Sequence, residues 1–240
     1  MFAETREKFI NDFIVQERWR FITDGLKITI LVTLLALVVG LILGALIAVI
    51  RTAHDQLRDE NSSGIGRTLL GAANAVCKLY LTVIRGTPSL VQLLIMYYVI
   101  LTSPTISKIT VAVVCFGINS GAYVAEIFRS GIMSVDAGQM EAGRSLGLGY
   151  VDTMTQIIMP QAVKNCLPAL VNENITLLKE TSICGYIGLN ELTRGGDIIR
   201  SLTYEPYLPL LTVAVVYLIL VVLLTSLVSW LERRLKKNER

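Results

Sequence analysis

The stretch that decides the fold is the uncharged run ITILVTLLALVVGLILGALIAVI, residues 28–50. At a rise of about 1.5 Å per residue, a helix of this length crosses the roughly 30 Å hydrocarbon core of a bilayer. Three further runs without charge follow at residues 86–107, 109–125 and 206–231. Core helices of soluble proteins rarely stay uncharged over such lengths, so these runs predict an all-α integral membrane protein.

The composition supports this class and excludes several others. The chain has 240 residues, of which 53% are hydrophobic and 17% are charged. Its single histidine, His54, lies in a polar loop, which leaves no catalytic triad and no two-histidine zinc motif. We therefore predict no catalytic residue and no metal site. Four scattered cysteines show no pairing or metal spacing and are expected to be buried thiols: Cys77, Cys115, Cys166 and Cys184.

The distribution of basic residues predicts how the chain crosses the membrane. The C-terminal stretch ERRLKKNER, residues 232–240, directly follows the last apolar run. The positive-inside rule therefore predicts a cytoplasmic C-terminus. With five transmembrane helices, the N-terminus then lies outside and the loop at residues 134–160 lies in the cytoplasm. The five spans are predicted at residues 26–51, 86–106, 108–133, 161–180 and 206–231.

The N-terminal segment, residues 1–25, precedes the first span. Its aromatic and isoleucine side chains recur near helical spacing: Phe9, Ile10, Phe13, Ile14 and Phe21. This periodicity predicts a helix lying at the membrane interface, with a frayed tail as the alternative. The segment lacks the basic start, short apolar core and small-residue cleavage site of a signal peptide.

The first span carries a ridge of small residues at four-residue intervals: Ala36, Gly40, Gly44 and Ala48. Small residues allow a neighbouring helix to approach closely in the membrane. The ridge predicts either packing within the chain or contact with another subunit, and the pattern does not distinguish the two.

Two later spans carry charged residues, which are costly in hydrocarbon unless they are paired or wetted. On the third span Glu126 and Arg129 are three positions apart, so an ion pair on one helix face is predicted. The fourth span must be surrounded by protein or line a wet cavity, and a break is expected at its Pro168. Its other polar residues are Lys164, Asn172, Glu173, Asn174, Lys179 and Glu180.

A spaced motif lies between the third and fourth spans, in QMEAGRSLGLGYVDTMTQIIMP, residues 139–160. The order Glu141-Ala142-Gly143, three residues, Gly147, nine residues, Ile157, two residues, Pro160 resembles the EAA motif of ATP-binding-cassette importer permeases. Gly143 stands for the second alanine of that motif, and Met159 for its leucine. The flanking stretches IRGTPSLVQLLIMYY, NSGAYVAEIFRSGI and LLKETSI resemble the polar amino-acid branch, the histidine, glutamine and arginine type. The resemblance covers about residues 20–235.

The resemblance implies that the loop forms a short coupling helix that docks into a cleft on a separate cytoplasmic ATPase. Glycines permit close approach and sharp turns, and charged side chains can pair with the partner. The residues expected to couple to the ATPase are Glu141, Ala142, Gly143, Arg144 and Gly147. Met140, Leu146 and Leu148 can add apolar contact.

The resemblance also implies the assembly. The fold would be type I importer-like, with a transmembrane permease domain at residues 26–235 and a basic cytoplasmic tail at 236–240. ATP and Mg would be bound by the partner ATPase, because this chain has no Gly-x-x-x-x-Gly-Lys-Ser/Thr loop and needs no cofactor. The other expected partners are a second permease subunit, with a homodimer favoured and a heterodimer possible, and an extracytoplasmic substrate-binding protein. The expected location is the bacterial cytoplasmic (inner) membrane, with no nucleic-acid partner.

The best candidate for substrate binding is Glu173, about halfway along the fourth span. Transporter sites lie near the membrane midplane on broken or polar helices. Its carboxylate could receive the ammonium of an amino acid, or the guanidinium or amine of a basic side chain. The alternative is a structural carboxylate satisfied by Asn or Lys neighbours. Thr87, Gln92 and Asn119 on neighbouring spans could complete the site, or could bond only across helix interfaces.

The substrate and two rival functions remain open at this stage. A lone carboxylate favours basic amino acids such as arginine, lysine or histidine, but it could equally hold the α-ammonium of glutamine. A secondary transporter driven by an ion gradient would explain Glu173, but it predicts more spans, repeats and no docking loop. A membrane scaffold would explain the glycine ridge but not the charged fourth span.

Overall fold

The computed structural model describes residues 2–59 and 65–237, and the regular elements within these ranges are helical. The α-helices are α1 Phe2–Phe9, α2 Trp19–Asp59, α3 Ile65–Gly86, α4 Ser89–Ile95, α5 Lys108–Met133, α6 Ala137–Ser145, α7 Tyr150–Thr153, α8 Met159–Glu180, α9 Leu192–Thr203 and α10 Tyr207–Lys237. Wider π-helical turns occupy Ile10–Ile14, Met96–Ile100 and Met154–Ile158, and tighter 3₁₀ turns occupy Val15–Glu17 and Thr181–Ile187. Residues 238–240 of the predicted basic tail lie outside the described residues.

Three of the described helices are long and apolar enough to cross a membrane: α2, α5 and α10. A fourth crossing results if α3 and the helix after it form one broken span. The predicted spans at 26–51 and 108–133 lie within α2 and α5, respectively. Residues 207–231 of the last predicted span lie within α10. The predicted span at 161–180 lies within α8, whose polar residues keep it out of this apolar set. The five-span count and the orientation therefore stay predictions.

The second predicted span, at residues 86–106, is shorter in the structure, because its helical part begins at Ser89 and ends with the π-helical turn at Ile100. Helix α3 already ends at Gly86, and α4 begins at Ser89 after an extended Pro88 with φ −63° and ψ 136°. Pro88 accounts for the interruption, because proline lacks a backbone donor and disfavours helical geometry in the residue before it.

The predicted break at Pro168 is wrong. Helix α8 runs without interruption from Met159 to Glu180 with Pro168 inside it. Proline within a transmembrane helix is tolerated where neighbouring helices and side chains satisfy the freed backbone groups. Helix α8 packs closely against α5 just before the proline, because a Cβ on Gly131 of α5 would collide with the sulfur of Cys166 on α8.

One compact unit comprises Met1–Leu37, Pro88–Phe116 and Asn174–Arg240. Its main core surrounds the fully buried Phe116 and Leu93, with Ala36 of the small-residue ridge among them. A second apolar cluster joins the N-terminal segment to α9 and α10 through Phe13, Leu192, Ile199 and Val213. The N-terminal segment is therefore helical, and its position at a membrane interface stays a prediction.

The other compact unit comprises Val38–Thr87 and Gly117–Glu173. Here the ridge on α2 packs against α5, because a Cβ on Gly40 would lie 3.0 Å from Ser120 Cβ and one on Gly44 would lie 2.5 Å from Val124 Cγ1. The ridge is used for packing within the chain, which decides between the two alternatives left by the sequence. The four cysteines of the chain are buried free thiols, as predicted.

Candidate functional site

A half-buried carboxylate, Glu173, lies near the middle of α8 and is held by Ser120 of α5. The Ser120 hydroxyl donates a hydrogen bond to Glu173 Oε1 across 2.8 Å. Ser120 itself is fully buried. The Ser120 hydroxyl is one partner of this carboxylate, which as an ion offers about four lone-pair positions to hydrogen-bond donors.

The backbone of α2 makes this contact possible. Gly40 faces Ser120, and a Cβ at that position would lie 3.0 Å from the Ser120 hydroxyl oxygen. The missing side chain lets α2 and α5 approach closely while Ser120 keeps its rotamer toward α8. Asn119, one of the predicted site residues, directly precedes Ser120 in α5. It is buried, with 4% of its surface exposed.

The remaining two predicted site residues lie at the interruption between α3 and α4 and just beyond it. Thr87 is exposed, and its hydroxyl donates to the carbonyl oxygen of Val83 across 2.8 Å. That bond satisfies one of the last carbonyl groups of α3. Gln92 is half-buried on α4 and belongs to the other compact unit. The predicted roles of both in substrate binding stay predictions.

A cluster of charged residues joins α2, α3 and α5, and it corrects the predicted pairing on α5. Glu126 forms its close ion pair with Arg51 of α2, and Arg85 of α3 approaches the same carboxylate to 4.0 Å. Arg129 pairs with Asp55 of α2 across 3.2 Å. The predicted pair of Glu126 with Arg129 is therefore wrong in its partners, because neighbouring helices supply opposite charges to both residues.

The predicted coupling segment folds as the short helix α6. Its N-terminus is capped by Asp136, whose carboxylate accepts a hydrogen bond from the Gly138 backbone across 2.6 Å. Its C-terminus closes at Gly147, which has a φ of +86°, while the Leu148 amide donates to the Gly143 carbonyl oxygen across 3.1 Å. Gly147 of the EAA-like motif thus supplies the left-handed backbone conformation that ends the helix.

The outer face of α6 presents the residues expected to meet a partner. Glu141, Ala142 and Arg144 are exposed, and Leu146 just past the helix is 82% exposed. Gly143 instead faces inward, where a Cβ would lie 2.5 Å from Thr153 Cγ2 on α7. The departure from alanine at this motif position thus has a local cause in Thr153.

The connection at residues 181–205, between the fourth and fifth predicted spans, contains the helix α9. Glu191 caps its N-terminus and is 1% exposed. The carboxylate accepts hydrogen bonds from the Thr193 and Arg194 amides, each across 2.7 Å, and from the Tyr217 hydroxyl across 3.3 Å. Burial raises the pKa of Glu191, and these hydrogen bonds oppose part of that rise.

The sequence did not identify three residues that the structure shows to be important: Ser120, Thr153 and Glu191. Only Glu191 had a local signal, since an acidic side chain is favourable near the N-terminus of a helix. Ser120 and Thr153 are ordinary hydroxyl residues whose partners are separated from them in the chain. Among the residues that the structure describes, no group of three or more His, Cys, Asp or Glu side chains is arranged to hold a metal.

Comparison with known proteins gives the chain relatives along nearly its whole length. The sequence model of the family "Binding-protein-dependent transport system inner membrane component" matches residues 64–237. The chain is 39% identical over 191 residues to the arginine transport system permease protein ArtQ of Bacillus subtilis (strain 168), covering 74% of this chain and 87% of that protein. It is 40% identical over 178 residues to the glutamine transport system permease protein GlnP of Escherichia coli (strain K12), covering 72% of this chain and 81% of that protein.

Solved structures show a similar fold. A chain from the crystal structure of an amino acid ABC transporter with histidines superposes with a TM-score of 0.79 at 40% identity, covering 92% of this chain and 98% of that chain. A chain of the MetNI methionine ABC transporter in an inward-facing conformation superposes with a TM-score of 0.66 at 20% identity, covering 92% and 97%. The second likeness is one of fold alone.

Proposed function

Because this chain belongs to the family of binding-protein-dependent transport system inner membrane components, we propose that it is the permease subunit of an ATP-driven importer of polar amino acids, basic ones in particular. Membership of the family confirms the resemblance inferred from the EAA-like spacing. The names of the arginine and glutamine relatives support the amino-acid class. The substrate moves by alternating access, and ATP is hydrolysed by a partner subunit.

The observation that carries the proposal is the hydrogen bond from Ser120 to Glu173 Oε1. It holds an acidic group in a fixed position halfway along a helix that the sequence predicts to span the membrane. Desolvating a carboxylate is costly, and a cationic ligand offsets that cost by pairing with it. Glu173 therefore receives the ammonium, amine or guanidinium of the substrate, and Asn119, Thr87 and Gln92 contribute hydrogen bonds along its path.

The coupling function belongs to α6. A short helix with exposed Glu141 and Arg144 and a protruding Leu146 has both the charge and the apolar surface that a cleft on another protein can bind. Ala142, Gly143 and Gly147 keep the helix compact enough for close approach. In this proposal α6 docks on the cytoplasmic ATPase, which binds ATP and Mg, and transmits its motion to the spans.

The proposed assembly contains two permease subunits, two ATPase subunits and an external substrate-binding protein. A homodimer is favoured, because this chain carries a complete candidate site, and a heterodimer remains the alternative. Five spans place the N-terminus outside and the C-terminus in the cytoplasm of a bacterium, with α9 on the side that meets the binding protein. The membrane is the cytoplasmic, inner one.

The test is uptake and ATPase stimulation by the complex reconstituted in liposomes with its neighbouring ATPase and binding protein, scanned across amino acids. We expect one polar amino acid to stimulate both activities. Glu173→Gln should abolish uptake or change its selectivity without affecting assembly. Glu141→Lys should abolish stimulation, whereas the same charge reversal at the exposed Glu7 should leave it unchanged.

Three results would contradict parts of the proposal. Wild-type uptake by Glu173→Gln would remove this carboxylate from the site. Stimulation that survives Glu141→Lys would remove α6 from the coupling contact. Transport driven by a proton gradient in the absence of the ATPase would replace the importer with a secondary transporter.

A further inference from the structure

One face of α5 carries three polar residues. Asn119, Tyr123 and Glu126 recur at positions i, i+4 and i+7, which places them on the same side of the helix. A different side of α5, with Gly121 and Val124, packs against α2. Tyr123 is 37% exposed even though it lies in the middle of a predicted span. Asn119 is buried and Glu126 is paired with Arg51, so Tyr123 is the residue of this face that a solute could contact.

Two opposite charges come to neighbouring turns of α5 beside this face. The Ser120 hydroxyl contacts the carboxylate of Glu173, and the guanidinium carbon of Arg85 lies 5.7 Å from the centre of the Tyr123 ring. Ser120 and Tyr123 are three positions apart, so their Cβ atoms are about 5–6 Å apart on the helix surface. Two side chains of α5 that are three positions apart thus contact a carboxylate of α8 and a guanidinium of α3.

Arg85 is the loosely held arginine of the charged cluster. Its guanidinium lies 4.0 Å from Glu126, which is longer than a hydrogen bond, whereas Arg51 contacts the same carboxylate closely. The Arg85 side chain is 45% exposed, against 11% for Arg51. Each guanidinium group carries five N–H donors, so the single carboxylate of Glu126 cannot accept hydrogen bonds from all the donors of Arg51 and Arg85. Arg85 therefore retains capacity for a further anion.

The position of Arg85 along the chain suits this task. It is in the last turn of α3, which ends at Gly86, one residue before Thr87 and the extended Pro88. The negative end of the helix dipole favours a cation there. Interrupted helices are also where membrane transport proteins place the groups that recognise charged substrates.

We propose that Arg85 binds the α-carboxylate of the amino acid whose positive group is received by Glu173, an inference that rests on the proposed function. The planar guanidinium can donate two parallel hydrogen bonds to a carboxylate, and the Tyr123 ring supports its face. Arg85 and Glu173 together select a zwitterionic amino acid over an amine that lacks the carboxylate. Arg85 is thus a specificity-determining residue that requires an α-amino acid, whatever the side chain of that amino acid is.

The test compares amino acids with their decarboxylated counterparts. The permease is purified in complex with its ATPase but without the binding protein, so that the binding protein's selectivity does not enter. Radiolabelled L-arginine and L-glutamine are the probes, and agmatine and 4-aminobutanamide, which lack the α-carboxylate, are the competitors. The variants are Arg85→Gln and Arg85→Lys, and Lys78→Gln removes an exposed charge from the same helix as the matched control.

We expect Arg85→Gln to weaken amino-acid binding by about tenfold to a hundredfold, the range for losing a hydrogen-bonded charge, while the decarboxylated competitors bind as before. The preference for the amino acid over its amine should therefore collapse in Arg85→Gln, fall partway in Arg85→Lys and persist in Lys78→Gln. A purely structural role would weaken both ligands together.

The outcomes separate this inference from the function on which it rests. An unchanged preference in Arg85→Gln, equal weakening of amino acid and amine, or an equal collapse in Lys78→Gln overturns the role of Arg85. If Arg85→Gln does not assemble, an unchanged preference in Arg85→Lys overturns it. Glu173→Gln, measured in the same assay, should weaken the binding of amino acid and amine alike. Unchanged binding of both would exclude Glu173 from the site, and the preference of the Arg85 variants for the amino acid over the amine would still test Arg85. Absence of saturable amino-acid binding to the wild-type complex would overturn both.

Discussion

Gly143 on α6 and Thr153 on α7 pack so closely that a Cβ on the glycine would lie 2.5 Å from Thr153 Cγ2 and 2.8 Å from its Oγ1. The Thr153 side chain is fully buried, and its hydroxyl donates to the Gly149 carbonyl oxygen across 3.0 Å. The threonine therefore cannot move aside without losing that bond. This contact sets how α6 sits on the segment that leads into α8.

Gly143→Ala should displace α6 and weaken coupling, although it restores the alanine of the EAA motif. Inserting a methyl group into such a contact costs about 1–3 kcal/mol. We expect a lower thermal midpoint of the purified complex and reduced ATPase stimulation. Adding Thr153→Ala should recover part of both, because the remaining Cβ contact of 3.2 Å is tolerable with a small shift.

Gly71→Ala provides the control for this experiment. Gly71 lies inside α3, and a Cβ there would meet nothing within 4 Å. Alanine is the better helix former by about 1 kcal/mol, so this variant should be as stable as the wild type or more stable. Equal midpoints and equal stimulation for Gly143→Ala and the wild type would contradict the role assigned to the Gly143–Thr153 contact.

Ser120→Ala should weaken uptake by removing the hydroxyl that positions Glu173. A hydrogen bond to a charged group contributes about 1.5–3 kcal/mol, which corresponds to at least a tenfold rise in the apparent KM for uptake. Initial-rate uptake in proteoliposomes measures it. Thr225→Ala is the control, because that hydroxyl only bonds to the Val221 carbonyl oxygen of its own helix. Identical KM values for Ser120→Ala and wild type would argue against Ser120 as a positioning residue.

Arg51→Gln should destabilise the chain far more than Arg129→Gln. The Arg51 side chain is 11% exposed, and its removal leaves Glu126, which is 32% exposed, with only the distant Arg85. Breaking such a partly buried pair costs about 3 kcal/mol, whereas the exposed pair of Arg129 with Asp55 contributes under about 1 kcal/mol. Thermal midpoints of the two variants test this order, and Arg51→Gln combined with Glu126→Gln should recover much of the loss. Similar midpoints for both single variants would refute it.

Glu191 should make stability depend on pH. Burial raises the pKa of this carboxyl above its ordinary value of 4.5, so the folded state binds the proton more tightly than the unfolded chain. The contribution of Glu191 to the free energy of unfolding is then fully present below pH 4.5 and is lost as pH rises through the higher folded pKa. The thermal midpoint of the wild type minus that of Glu191→Gln should therefore fall between pH 4.5 and neutrality.

The difference between the two proteins isolates Glu191. Burial also raises the pKa of Asp12 in the N-terminal segment, but that residue is present in both and cancels. A difference that stays constant with pH, or that grows as pH rises, would show that the hydrogen bonds from the Thr193 and Arg194 amides outweigh the effect of burial.

Much of the fold followed from the sequence, because its signals are local. The predicted third span coincides with α5, and the EAA-like segment forms the predicted short helix with Gly147 at its end. An uncharged stretch, a glycine at a helix end and a proline before a helix each influence the structure of residues close to them in the chain. The errors arose where surrounding structure overrides a local preference. Pro168 stays inside α8, and Glu126 pairs with Arg51 of another helix rather than with Arg129.

For the candidate site, the sequence by itself determined which residue types had to find partners. A carboxylate at Glu173 in a predicted span is costly wherever the helices lie, so its importance was visible without coordinates. The tertiary structure alone decided that Ser120 is its partner, that Arg51 rather than Arg129 pairs with Glu126, and that Arg85 stands over Tyr123. The physical reason is distance along the chain. Helix propensity and transfer free energy are properties of neighbouring residues, whereas these pairings depend on how α2, α3, α5 and α8 pack, which small side chains such as Gly40 make possible.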